Sequence, residues 1–132
     1  MIKIKYLKII KIFIYIIFFI IPSTNNAEEI LIYADSITYD NNENIIARGN
    51  AKIFQKNKLI TSDLIIYNKF EGKIILPSKF NFKDEDNNFF EGEDGFFEKN
   101  LKFAEFHNPK IKLNDGSRII GDKLKRDGHI DI

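Results

Sequence analysis

The 132-residue chain is long enough for one domain, and its 44% hydrophobic and 14% aromatic content excludes wholesale disorder. It has no cysteine, which excludes disulfides, thiolate catalysis and Cys-based zinc sites within the chain. Its 20 basic and 19 acidic residues leave a net charge of +1.

That charge is not evenly spread. Lys3, Lys5, Lys8 and Lys11 form a positive segment without acids, Ile12 to Ile21 is an unbroken apolar run of ten, and Pro22 ends it before a small polar stretch. These are the parts of a secretory signal peptide, expected over residues 1–27 with cleavage after Ala27. The run is about half of what a bilayer span needs, so export is expected over an uncleaved membrane anchor. The rest of the chain, 28–132, holds 16 basic and 19 acidic residues, a net of −3. A mildly acidic net charge weakens a nucleic-acid reading, which would need a basic face.

From Glu28 onward the pattern is all-β. Short runs rich in Ile, Phe and Tyr alternate with Asn, Asp, Gly and Lys clusters, and sustained helical periodicity is absent. Strands are expected near 30–39, 44–48, 50–55, 59–67, 73–76, 79–83, 88–98, 101–106, 109–113, 117–126 and 129–132. Asn114 to Ser117 (NDGS) is the clearest hairpin turn, with FEGK (70–73) and RDGH (126–129) weaker ones. The last segment, His129 to Ile132, is strand-like and uncapped, so a truncated end or continuation by another β surface is expected there.

A repeat runs through these strands. Asp35, Asp63, Asp94 and Asp122 stand 28, 31 and 28 positions apart, and two residues after each comes Ile37, Ile65, Phe96 or Leu124. Periods of this length indicate stacked modules that bury their apolar faces against one another. Alternate residues of a strand share a face. Ile37, Tyr39, Ile65, Tyr67, Phe96 and Leu124, with Ile53, Phe80, Phe82, Ile111 and Leu113, are therefore expected to line one apolar interior.

Chemistry is not expected. Asp84, Asp86 and Asn88 match the first three ligand spacings of an EF-hand, but Phe89 takes its glycine position and Gly95 its glutamate position. The four repeated aspartates recur at one phase, which points to a structural role rather than to catalysis. His107 and His129 stand apart from any Ser, Cys or metal-ligand spacing, and no phosphate-cradling glycine loop occurs. No catalytic residue, metal or cofactor is assigned. Lys102, Lys110, Lys112, Arg118, Lys123, Lys125 and Arg126 concentrate positive charge late in the chain, where they would protect an edge strand.

The stretch ADSITYDNNENIIARGNAKI, followed by KLITSDLIIYNKFEGKI, resembles the OstA/LptA-like domain family of lipopolysaccharide transport. Ala34, Asp35, Ile37, Tyr39, Asp40, Ala47, Gly49, Asn50 and Ala51 fill its pattern. The later DGSRIIGDKLKRDG is similar to the end of the N-terminal periplasmic domain of LptD-type assembly proteins. The resemblance covers about residues 29–132 and implies a repeated-hairpin β-jellyroll, shaped like a folded taco, of about 10–11 short antiparallel strands over residues 28–132. Asp35, Asp63, Asp94, Asp122 and Gly49 would then be structural. The resemblance further implies an apolar groove for lipopolysaccharide acyl chains, edge-to-edge pairing with other jellyroll modules, and a periplasmic location. An outer-membrane barrel would be a partner if the chain is an LptD-type fragment. A stand-alone LptA-like bridge protein, an anchored LptC-like component and a closed-core strand-addition module remain as alternatives.

Overall fold

The structure, a computed structural model, describes residues 29–98, 100–127 and 130–131. The expected signal peptide and the Gly-His step of the last turn lie outside the described residues. The rest is antiparallel strand and turn: β1 (Ile30–Tyr33), β2 (Ser36–Tyr39), β3 (Ile45–Gln55), β4 (Lys58–Asn68), β5 (Lys73–Lys83), β6 (Phe89–Glu98), β7 (Phe103–Lys112), β8 (Arg118–Ile120), β9 (Lys123–Asp127) and β10 (Ile130–Asp131). They form one sheet in the order β1-β3-β4-β5-β6-β7-β9-β10, with β2 also on β3 and β8 also on β7.

The turns follow from Asx chemistry. Asp and Asn side chains mimic a backbone turn by accepting from N–H groups two to four residues on. The β2–β3 and β5–β6 hairpins use the same five-residue device. Asp40 Oδ1 accepts from the backbone N–H of Asn42 and Asn44, both at 2.9 Å, and its Oδ2 accepts from Asn44 Nδ2 at 2.9 Å. Asp84 does likewise with Asp86 and Asn88 at 2.9 to 3.0 Å. The residues with EF-hand spacing are thus a hairpin whose leading carboxylate is engaged by its own turn. At Asp40 the Asn44 amide, and then the Asn44 N–H, hold the carboxyl below the usual carboxylate range. In the NDGS turn Gly116 takes φ +90, and Leu113 N–H donates to the Ser117 carbonyl at 2.8 Å.

The strands do not run flat. The ladders break between Arg48 and Ala51 on β3, Ser62 and Ile66 on β4, Leu76 and Lys79 on β5, and Glu91 and Phe96 on β6. Bulges bend a strand and increase its twist. Aligned across neighbouring strands, they make a crease. β2 pairs only with β3 residues on one side of it (45–48), and β1 only with residues on the other (52–55). At the far end β9 pairs with 103–107 of β7 and β8 with 110–112. The sheet therefore has two leaves. The first holds β2, β9, β10 and the adjoining halves of β3 to β7; the second holds β1, β8 and the other halves.

Ring contacts show the leaves closed on each other. Phe97 pairs across the first leaf with Ile74, which lies eight residues along β5 from Phe82. On a flat strand that separation is about 26 Å, yet the Phe97 and Phe82 rings are 4.8 Å apart. Phe80 of the second leaf likewise meets Phe106 of the first edge-on at 5.0 Å. The expected strand breaks at 49, 77–78 and 107–108 all fall on the crease. There β3, β5 and β7 continue through it as single strands, while the expected strands 30–39 and 117–126 are each cut in two.

Candidate functional site

The candidate site is the space between the leaves. Its walls are cross-strand rungs of inward-facing side chains. In the second leaf the register reads Ile32, Ile53, Ile60, Phe82, Phe90, Ile111, Ile119 from one end of the sheet to the other. In the first leaf it reads Ile45, Tyr67, Ile74, Phe97, Ala104, Arg126. The rung of the second leaf is apolar throughout, and that of the first is apolar as far as Ala104, where Arg126 follows.

Six of the eleven expected lining residues are buried in this interior: Ile53, Ile65, Phe80, Phe82, Ile111 and Leu124. Tyr67 and Leu113 are half-buried against it, and burial pushes the Tyr67 phenol above its ordinary pKa. Three sit elsewhere. Ile37 and Tyr39 keep the inward phase, opposite Ala47 and Ile45, but they stand 45% and 68% exposed because β2 ends its leaf among the described residues. Phe96 faces outward under the Lys73 ammonium, 4.4 Å from its ring centroid, and Phe97 takes the interior place. Phe90, Phe97, Phe106, Ile60 and Ile74 are interior residues that the repeat did not single out. The doublets Phe89-Phe90 and Phe96-Phe97 carry the signal without saying which ring turns inward.

The repeated aspartates line the crease. Asp35 joins β1 to β2, Asp63 and Asp94 lie within the ladder breaks of β4 and β6, and Asp122 joins β8 to β9. Asp35 N–H donates to the Gly49 carbonyl at 2.9 Å, and Asp35 Oδ2 accepts from Asn50 Nδ2 at 3.0 Å. Gly49 (φ +77) and Asn50 (φ +46) make the bend in β3, and a Cβ on Gly49 would stand 2.7 Å from Asp35 Oδ2. The Asp122 carbonyl accepts from Asn108 N–H at 2.9 Å. The carboxylates are spread along a line rather than gathered, and no group of three or more metal-ligating side chains occurs among the described residues.

Opposite the crease the leaf rims meet at a mouth. The β6–β7 turn reaches from the first leaf to the β3–β4 turn of the second. Asn100 Oδ1 accepts from Gln55 Nε2, and the Asn100 carbonyl accepts from Lys58 Nζ, both at 3.2 Å. Leu101 is buried beside them. From β9 the Arg126 guanidinium lies 5.5 Å from the Phe82 ring centroid of the other leaf. The interior is filled by its own side chains. A depression of about 580 Å³ lies on the outer face of the second leaf, over Thr61, Asn81, Glu91 and Lys110.

Set beside solved structures, the chain matches the LptA-homologous periplasmic component of the lipopolysaccharide transport device of Pseudomonas aeruginosa, LptH. The TM-score is 0.67 at 15% identity, over 83% of this chain and 85% of that one. The two share one fold. It is an all-β antiparallel jellyroll of the LptA-like kind, as the sequence resemblance implied. No family model matches the chain, and no curated protein matches it.

Proposed function

We propose that the chain is a periplasmic module of lipopolysaccharide transport that holds acyl chains between its two leaves and passes them to neighbouring modules without catalysis. The observation that carries this reading is the pair of leaves with end-to-end inward rungs, in a fold shared with a lipopolysaccharide-transport component. A folded sheet suits the task because its backbone groups are satisfied within the ladder, so the interior wall is apolar. Each buried methylene contributes about 0.8 kcal/mol. An acyl chain is therefore held without specific polar contacts, in exchange for the ring contacts that now join the leaves.

The sheet ends are the docking edges in this reading. β1 and β2 carry Leu31, Tyr33, Ile37 and Tyr39 exposed at one end, and β8 carries Ile120 exposed at the other. Strand addition to such edges would continue the rungs into the next module. The resemblance of residues 115–128 favours an LptD-type N-terminal domain, associated with the outer membrane and its barrel. A stand-alone LptA-like bridge protein fits the shared fold equally well.

A second reading, a closed core that only recruits partners by its edges, is favoured by the complete burial of Ile53, Ile60, Ile65 and Phe97. The two separate on purification of the full chain under native conditions from a lipopolysaccharide-producing host, followed by mass spectrometry of bound lipid. Transport predicts co-purifying lipopolysaccharide; folded protein free of lipid supports the closed core.

A further inference from the structure

The interior rungs are apolar along their length except at the mouth, where two cations make no ion pair among the described residues. Lys58 is 6% exposed, and its ammonium donates to one carbonyl, that of Asn100. The pairing of Leu59 with Lys83 sets Asp84 opposite Lys58. Asp84 already accepts from Asp86 N–H, Asn88 N–H and the Asn88 amide, and it makes no ion pair with Lys58. On the other rim Arg126 faces inward on the Ala104 rung, and its Nε and Nη1 are buried without a hydrogen-bond partner. Its guanidinium reaches Phe82, which pairs with Ile60, two residues from Lys58 on the same face. Gln55 is fully buried beside Lys58 with its Oε1 unpartnered.

Buried charged donors without partners are costly, and native proteins supply a partner or keep the site for one. Arginine does not escape by losing its proton. A cation on each rim, one donating only to a carbonyl and the other with two buried donors unmet, suits a doubly charged anion, and a phosphate monoester carries a charge of about −1.5 to −2. The unpartnered Gln55 oxygen calls for a donor close by, such as a hydroxyl. Phe82 and Ile60, which adjoin these groups, belong to the apolar interior. We propose that the mouth binds the phosphate of an acylated glycolipid. Arg126 and Lys58 donate to the phosphate, Gln55 accepts from an adjacent hydroxyl, and the acyl chains lie inside. The inference rests on the transport reading above and adds to it the part of the lipid that is recognised.

The test measures binding of three probes to the full chain: intact lipopolysaccharide, the same lipid after enzymatic dephosphorylation, and inorganic phosphate. Wild type is expected to bind the intact lipid at least tenfold tighter than the dephosphorylated one. R126M and K58M are expected to lose that preference while binding the dephosphorylated lipid as wild type does, and Arg126→Lys to keep most of it. Thermal unfolding of R126M should lie no lower than wild type, since the change removes two buried, unpartnered donors; a purely structural stack on Phe82 predicts a lower value. Retention of the preference by both R126M and K58M overturns the site. So does equal binding of both lipids by wild type, or an effect of Arg126 confined to inorganic phosphate. Failure of wild type to bind either lipid removes the transport reading itself, and the site with it.

Discussion

Gly95→Ala is expected to be among the most damaging single methyl groups that can be added to this chain. A Cβ there would stand 2.4 Å from the Glu105 carbonyl oxygen and 2.3 Å from Phe106 Cβ. Both belong to β7, so relief requires moving a strand that is paired on both sides. Overpacking usually costs about 1–3 kcal/mol, and a clash with backbone belongs at or above the top of that range. For a domain of this size, about 3 kcal/mol lowers Tm by about 10–25 °C. Gly92→Ala offers the contrast. Its Cβ would meet Phe106 Cδ2 at 2.2 Å and Phe80 Cζ at 2.9 Å, which are ring atoms and not backbone. Phe106→Leu should therefore recover part of the Tm lost in Gly92→Ala and none of that lost in Gly95→Ala. Equal recovery in both, read by thermal melts of the four variants, would contradict the close approach of β6 to β7.

The second large effect separates two adjacent phenylalanines. Phe97 is fully buried and contacts the rings of Phe80 at 5.8 Å, Phe82 at 4.8 Å and Phe106 at 6.1 Å. Phe97→Ala should cost about 3–5 kcal/mol, the range for emptying a core ring site. Phe96→Ala removes a half-buried ring and its contact with Lys73, together about 1 kcal/mol. Denaturant melts should give midpoints that differ sharply between the two variants with similar slopes. A larger loss in Phe96→Ala would restore the phase that the sequence repeat implied and overturn the register of β6.

That phase error shows what was legible. The alternating runs exposed the strands, and the Asp-Gly stretch of Asn114 to Ser117 exposed its turn, because both signals are local. The aspartate spacing of 28 to 31 was readable because two strands and two turns return the chain to the same line of the sheet. The crease itself was not readable. Its bulges insert residues at different points on different strands, and on β6 two breaks between Glu91 and Phe96 shift the inward phase from Phe96 to Phe97. Ile37 and Tyr39 kept the right phase, but burial also requires a neighbour beyond β2. The polar mouth left no trace in the sequence, since Gln55 and Lys58 meet Asn100 across 45 and 42 positions and between leaves, not along a ladder.

The most direct test of lipid carriage uses a photo-crosslinking amino acid placed singly at Ile65, Phe97 and Phe96 in cells that make lipopolysaccharide. Ile65 and Phe97 look into the space between the leaves, and Phe96 looks out from the same leaf one residue away. Lipopolysaccharide adducts are expected at Ile65 and Phe97 and none at Phe96. Adducts at Phe96 with none at Ile65 or Phe97 would contradict it and move the lipid to the outside of the sheet.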